Sequence, residues 1–124
     1  MADRSSKIPG RDHPITITPN PNRVTITYGG HIIAETRHAL SLREASYPAV
    51  LYIPRADAKM ASLTPSTNKT YCPYKGECSY YNLPGTEARA ANAIWSYETP
   101  YDSVSAIKDH LAFYPDRVEI TETP

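Results

Sequence analysis

A mainly β fold is predicted: one small domain of antiparallel sheet with one or two short helices. Three observations predict it. Twelve prolines are spread along 124 residues, and proline breaks helix interiors. Short runs alternate apolar and polar residues with period two, the pattern of a half-buried strand. Glycine pairs and Pro/Asn clusters punctuate those runs, as turns do. A chain of this length fits one domain and buries a core without metal or disulfide support.

The elements follow in order. The first 13 residues, "MADRSSKIPGRDH", are polar and are expected to be a flexible arm, with the domain proper over 14–124. "PITITP" alternates isoleucine with threonine between two prolines, a strand signal. "NPN" is a turn. "RVTITY" puts Val24, Ile26 and Tyr28 on one face, and "HIIAET" follows after Gly29 and Gly30. A Gly-Gly pair between two β-prone runs predicts a tight hairpin, because both residues tolerate positive φ. Leu40 and Leu42 alternate with polar neighbours, and "AVLYIP" is a short continuous apolar run, read as a strand buried on both faces. "RADAKM" allows one helical turn, and "TPSTN" is expected to be a loop.

"TYCPYKGECSYYN" then reads as two strands joined around a turn fixed by Pro73 and Gly76. "TEARAANAIW" is ambiguous between helix and strand. If "AIWSY" is extended, Ala93, Trp95 and Tyr97 share one face. "DSVSAIKDHL" opens with capping residues and predicts a short helix. "LAFYPDRVEI" is expected to close the domain as a last strand bent at Pro115.

Charge excludes some functions. Thirteen basic and thirteen acidic side chains cancel, so a nucleic-acid partner is not expected. No apolar run approaches the ~20 residues of a membrane span, and "MADRSSKIPGRDHP" lacks the apolar centre of a signal peptide. A cytoplasmic protein is expected, and a twofold homodimer is possible on base rates.

Ten tyrosines stand against one phenylalanine and one tryptophan. Each buried tyrosine brings a hydroxyl that needs a partner. This composition suits either a hydroxyl-lined cavity or a thin β domain with half-exposed rings.

Cys72 and Cys78 are the two thiols, and four histidines are scattered. A structural zinc site wants four ligands in close pairs, so no metal or other cofactor is called for. Cys72 reads either as a small buried hydrophobe or as a nucleophile whose pKa is lowered by the charge of Lys75. A lysine at a turn tip is ordinarily solvated. Held among tyrosines and desolvated, Lys75 instead becomes an anion contact, a nucleophile or a base.

"YPAVLYIPRADAKM", "TYCPYKGECSYYN", "AIWSYETP" and "LAFYPDRVEI", in this order, resemble the DUF427 family over about residues 22–120. The resemblance implies a compact, curved, tent-like β fold and favours strand for "NAIWSY". The family motifs fall on Tyr52, Pro54 and Arg55, on Thr70 and Cys72 to Gly76 including Tyr74, and on Tyr80. They continue on Trp95, Tyr97, Glu98 and Pro100, and on Phe113, Tyr114 and Asp116. Glu44 stands where the family commonly has a carboxylate. Cys78 stands where the family often has alanine, which argues against a Cys72–Cys78 partnership. A nucleotidyltransferase label attached to the family has no counterpart here. That chemistry needs paired carboxylates for Mg²⁺ and a phosphate cradle, and neither pattern is in the chain.

Two functions are therefore expected as alternatives. In the first, Tyr52, Tyr74, Tyr80, Trp95 and Tyr97 line a small-molecule pocket with Arg55. Lys75, Cys72 and Glu44 are then the candidate reactive groups, should a reaction occur. In the second, the aromatic residues form an open groove for a peptide or protein. Phe113 and Tyr114 are expected to be core, and Trp95 either core or pocket wall.

Overall fold

The computed structural model describes residues 6–124. Ten strands run in order: β1 (Ile15–Asn20), β2 (Arg23–Tyr28), β3 (His31–Thr36), β4 (Ala39–Glu44), β5 (Val50–Pro54), β6 (Thr64–Cys72), β7 (Gly76–Asn82), β8 (Ile94–Ser96), β9 (His110–Phe113) and β10 (Glu119–Thr123). They form two antiparallel sheets, neither closed into a barrel. The larger has the order β1-β4-β5-β9-β8-β7-β6, the smaller β10-β2-β3. Among the described residues the helical elements are all 3-10, at Arg55–Asp57, Met60–Ser62, Ala88–Ala90 and Asp102–Ile107. No helix among them is long and apolar enough to cross a membrane.

The Gly29-Gly30 hairpin forms as expected, with φ of 59° and 81° at the two glycines. The period-two pattern in the large sheet serves two cores at once. Leu51, Ile53, Tyr81, Ile94, Leu111 and Phe113 point to one face, where they pack with Val24, Ile26, Ile33 and Ala34 of the small sheet. Val50, Tyr52, Cys78, Tyr80, Trp95, Tyr97 and Ala112 point to the other, with Val104 and Ile107. This is why "AVLYIP" is apolar at every position: its alternate side chains enter different cores.

Three expectations are corrected. "TPSTN" is the start of β6, not a loop. It is the outermost strand of its sheet, where prolines are tolerated, and its pairing shifts register between Pro65 and Lys69. The Ser66 side chain accepts from Asn68 N–H at 3.0 Å there, so a turn-forming habit persists inside the strand.

"DSVSAIKDHL" forms a 3-10 segment interrupted at Val104 (φ −127°), with Tyr101 rather than an Asp or Ser at its start and no side-chain cap. Val104 and Ile107 are buried, so packing rather than a side-chain cap holds the segment. "LAFYPDRVEI" is two strands. β9 ends at Phe113, Arg117 N–H closes a turn on Tyr114 C=O at 2.9 Å, and β10 joins the other sheet. Pro115 does not bend one strand but separates two. The helical turn expected at "RADAKM" forms, as a 3-10 turn over Arg55–Asp57.

Of the arm expected over residues 1–13, residues 1–5 lie outside the described ones. Farther along, Lys7 N–H donates to Pro73 C=O at 2.8 Å, and Gly10 and His13 exchange backbone hydrogen bonds.

Candidate functional site

The site begins with one row of residues across the large sheet. Tyr80 on β7 faces Trp95 on β8, and Trp95 faces Ala112 on β9. Tyr52 on β5 lies one rung from the Ile53–Leu111 pair, next to Ala112. Adjacent strands are about 4.8 Å apart, so Trp95 and Tyr52 are two strands from each other. They still touch edge to face, with ring centroids 6.4 Å apart, and Trp95 Nε1–H donates to Tyr52 Oη at 3.2 Å. Only a small residue at 112 lets the two rings meet above β9. On Trp95's other side Tyr114 packs at 4.5 Å between centroids.

These rings wall a hollow of about 230 Å³ whose lining also includes Leu42, Val50, Cys78, Tyr97 and the exposed Tyr47–Pro48 loop. At its edge stand Glu44 and Lys75. Lys75 is placed by the turn after β6. Its N–H closes on Cys72 C=O at 3.2 Å, and its C=O accepts from Tyr101 N–H at 3.1 Å. Gly76 follows with φ of +111°, and a Cβ there would lie 3.4 Å from Thr99 O. Glycine is thus needed both for the conformation and for the close approach of residues 99–101.

Lys75 is only 7% exposed. Burying an ammonium is costly unless it is paired. Its Nζ donates to Glu44 Oε1 and lies 5.8 Å from the centre of the Tyr97 ring, a cation–π contact. Glu44 Oε2 meets His13 Nε2 at 2.7 Å, and the His13 ring stacks on Tyr74 at 3.9 Å. Burial pushes the Glu44 carboxyl up, but the hydrogen bonds from Lys75 and His13 outweigh it and hold it below the usual carboxylate range.

The phenols shift the other way. Burial pushes Tyr80 up to about 12 and raises Tyr52 and Tyr97 further. Burial also raises the Cys78 thiol. At neutral pH these hydroxyls are therefore neutral hydrogen-bonding groups, not bases.

Of the residues singled out from sequence, Glu44, Lys75, Tyr52, Tyr80, Trp95 and Tyr97 line the hollow together. Three others do not. Cys72 is half-buried and packs against the same core without lining the hollow. Cys72 and Cys78 are free thiols. Tyr74 is engaged by His13, with Lys7 Nζ 5.9 Å from its ring centre.

Arg55 forms a separate cluster. Its guanidinium donates to Glu98 Oε2 at 2.6 Å and Tyr81 Oη at 2.5 Å, and Tyr81 donates to Glu98 at 2.9 Å. The solvated turn-tip position that a lysine ordinarily takes is not the one Lys75 occupies. Trp95 is half-buried and serves as both core and wall. Phe113 is core as expected.

Sequence reasoning missed His13 and the Tyr47–Pro48 loop, and it placed Tyr114 in the core alone, whereas Tyr114 packs against the core and also lines the hollow. Its wall role carried a signal: Tyr114 lies two residues beyond Ala112 and so shares its face. His13 and Tyr47 sit in polar segments with no periodicity to mark them.

A family model described as a domain of unknown function (DUF427) matches residues 16–123. No curated protein matches the chain.

Proposed function

The chain belongs to the DUF427 family, and we propose that its hollow binds a small molecule between aromatic walls and the Lys75–Glu44 pair. One observation carries the reading: an ammonium and a carboxylate with side-chain exposures of 9% and 18%, set among Tyr52, Tyr80, Trp95 and Tyr97. Aromatic walls with a few convergent polar groups are how small ligands are usually held. A buried ion pair adds little net stability over apolar residues of the same shape, so its presence beside a cavity favours a binding role. An open peptide groove would leave that pair wetter than it is.

Lys75 and Glu44 supply a donor and an acceptor, Tyr97 holds the ammonium, and Trp95 stacks on the ligand. The test is thermal-shift screening against a metabolite panel, because a ligand selective for the native state raises its melting point. Compounds that stabilise the wild-type chain are expected to lose that effect in a Lys75→Met/Glu44→Gln double variant, which keeps the shape and removes both charges. Equal shifts in the two proteins would refute the reading.

A further inference from the structure

Beside the hollow runs a second, larger concavity of about 460 Å³. Its distinctive lining is Ile26, Ala49, Leu51, Phe113, Pro115 and Ile120, all apolar. Glu44, Tyr47, Pro48, Val50 and Trp95 line both spaces, so the two lie side by side, with the indole and the 47–50 loop between them. Tyr47 is 65% exposed and Ile120 36%. Large apolar side chains left uncovered in a recess mark a place where apolar surface is normally buried by something else.

The polar end limits what that occupant is. Lys75 and Glu44 neutralise each other. An anionic head competing for Lys75 would set a second negative charge beside Glu44, leaving it His13 alone as partner; a cationic head competing for Glu44 would leave Lys75 the Tyr97 ring alone. Leaving one partner of a buried pair uncompensated is strongly unfavourable. An uncharged dipolar head avoids this. A primary carboxamide accepts from one of the three ammonium hydrogens of Lys75 and donates to a free lone pair of the Glu44 carboxylate, and the pair stays intact.

Building on the proposed function, we infer that the ligand is amphipathic: an uncharged dipolar head of the carboxamide type at Lys75–Glu44, continued by an apolar tail in the trough toward Ile120. An ion pair that neutralises itself stands next to an uncovered apolar recess, and the two spaces share Trp95 as a common wall.

The test uses linear primary amides from butanamide to octanamide, with octanoate and octylammonium as charged counterparts. Binding is followed by the fluorescence of Trp95, the single tryptophan. Each added methylene is expected to tighten binding roughly three- to fourfold, from the transfer free energy of a buried CH₂. Octanoate and octylammonium are expected to bind at least tenfold more weakly than octanamide.

In Ile120→Asp the gain with chain length is expected to vanish while butanamide binding is unchanged. Ala49→Phe, on the exposed loop lining the same trough, gives the same readout if the β10 variant is unstable. Amide binding that depends on Lys75 but is flat in chain length would overturn the tail assignment and leave the small-molecule reading intact. Octanoate binding as well as octanamide, or octanamide binding unaffected by the Lys75→Met/Glu44→Gln change, would overturn the head assignment. Failure of every amide to bind would overturn the inference as a whole, while the metabolite panel tests the wider reading separately.

Discussion

The two faces of the seven-stranded sheet each carry an ion pair beside a tyrosine, and the pairs differ in kind. On the hollow face the side chains of Lys75 and Glu44 are 9% and 18% exposed, with Tyr97 against the ammonium. By the other face Arg55 and Glu98 are 35% and 37% exposed, with Tyr81 bridging them. The second pair lies at the margin of a close-packed core, where Leu111, Ile53 and Phe113 fill the space between the sheets. The first borders empty volume. Water reaches the outer pair and weakens it even though Tyr81 braces it, whereas the inner pair depends on its protein partners. The difference shows how one sheet supplies both a scaffold and a site from the same period-two alternation.

Breaking the inner pair is expected to have the largest effect. Lys75→Met leaves Glu44 ionised, half-dry and held by His13 alone, and should cost about 3–5 kcal/mol, the range for removing one partner of a buried pair. Arg55→Met removes a partner from a solvated carboxylate and should cost about 1 kcal/mol or less. Denaturant titration of both variants checks the contrast. Adding Glu44→Gln to Lys75→Met should restore most of the loss, because a neutral amide tolerates the site. If both single variants lose the same stability, the distinction between the faces is wrong.

The comparison also sharpens at the backbone row. Ala112→Leu would make the hollow face resemble the packed face, where Leu111 is the neighbour in sequence. The added methylenes should push Trp95 and Tyr52 apart, break their hydrogen bond and cost about 1–3 kcal/mol by overpacking. The expected signature is a change in Trp95 fluorescence together with a lowered melting temperature. An unchanged spectrum would mean that the rings do not meet above residue 112.

How much of this was legible in the sequence depends on the range of the interaction that fixes each part. The hairpin at Gly29-Gly30 and the Pro73–Gly76 turn are set by residues within a few positions, and both read correctly. The double apolar character of "AVLYIP" marked a strand with two buried faces, but not which core each side chain enters; that needs the register with β4 and β9. The clustering of Lys75, Glu44, Tyr52, Trp95 and Tyr97 followed from motif residues, and the structure gathers them around one cavity. Arg55 and Tyr74 belong to equally marked motifs yet point elsewhere, because a one-residue step along a strand or turn sends a side chain to the opposite side. His13 reaches Glu44 across 31 positions, and no local pattern signals a contact of that span. The split of "LAFYPDRVEI" between two sheets was hidden for the same reason: each half has good strand character, and only the partners differ.

The smallest effect separates the two pairs by pH and salt together. Glu44 and Glu98 both have carboxyl pKa values below the ordinary one. In each case burial acts upward and is outweighed, at Glu44 by hydrogen bonds from Lys75 and His13, at Glu98 by those from Arg55 and Tyr81. A carboxyl whose folded pKa is depressed stabilises the fold when ionised. That contribution is fully present above the ordinary carboxyl value and is lost as pH falls through the folded value. Stability should therefore decline on acidification below about pH 4.5, the unperturbed value, and less steeply in Glu44→Gln or in Glu98→Gln than in the wild-type chain. Salt distinguishes them. The screening length falls from about 10 Å at 0.1 M to about 3 Å at 1 M, and exposed charges feel this far more than buried ones. At 1 M NaCl the difference between wild type and Glu98→Gln should nearly disappear, while that between wild type and Glu44→Gln should persist. Denaturation midpoints measured from pH 6 downward at both salt concentrations give the answer; equal salt sensitivity at the two sites would mean that Glu44 is as well hydrated as Glu98, and that the hollow is wet enough to dissolve its own ion pair.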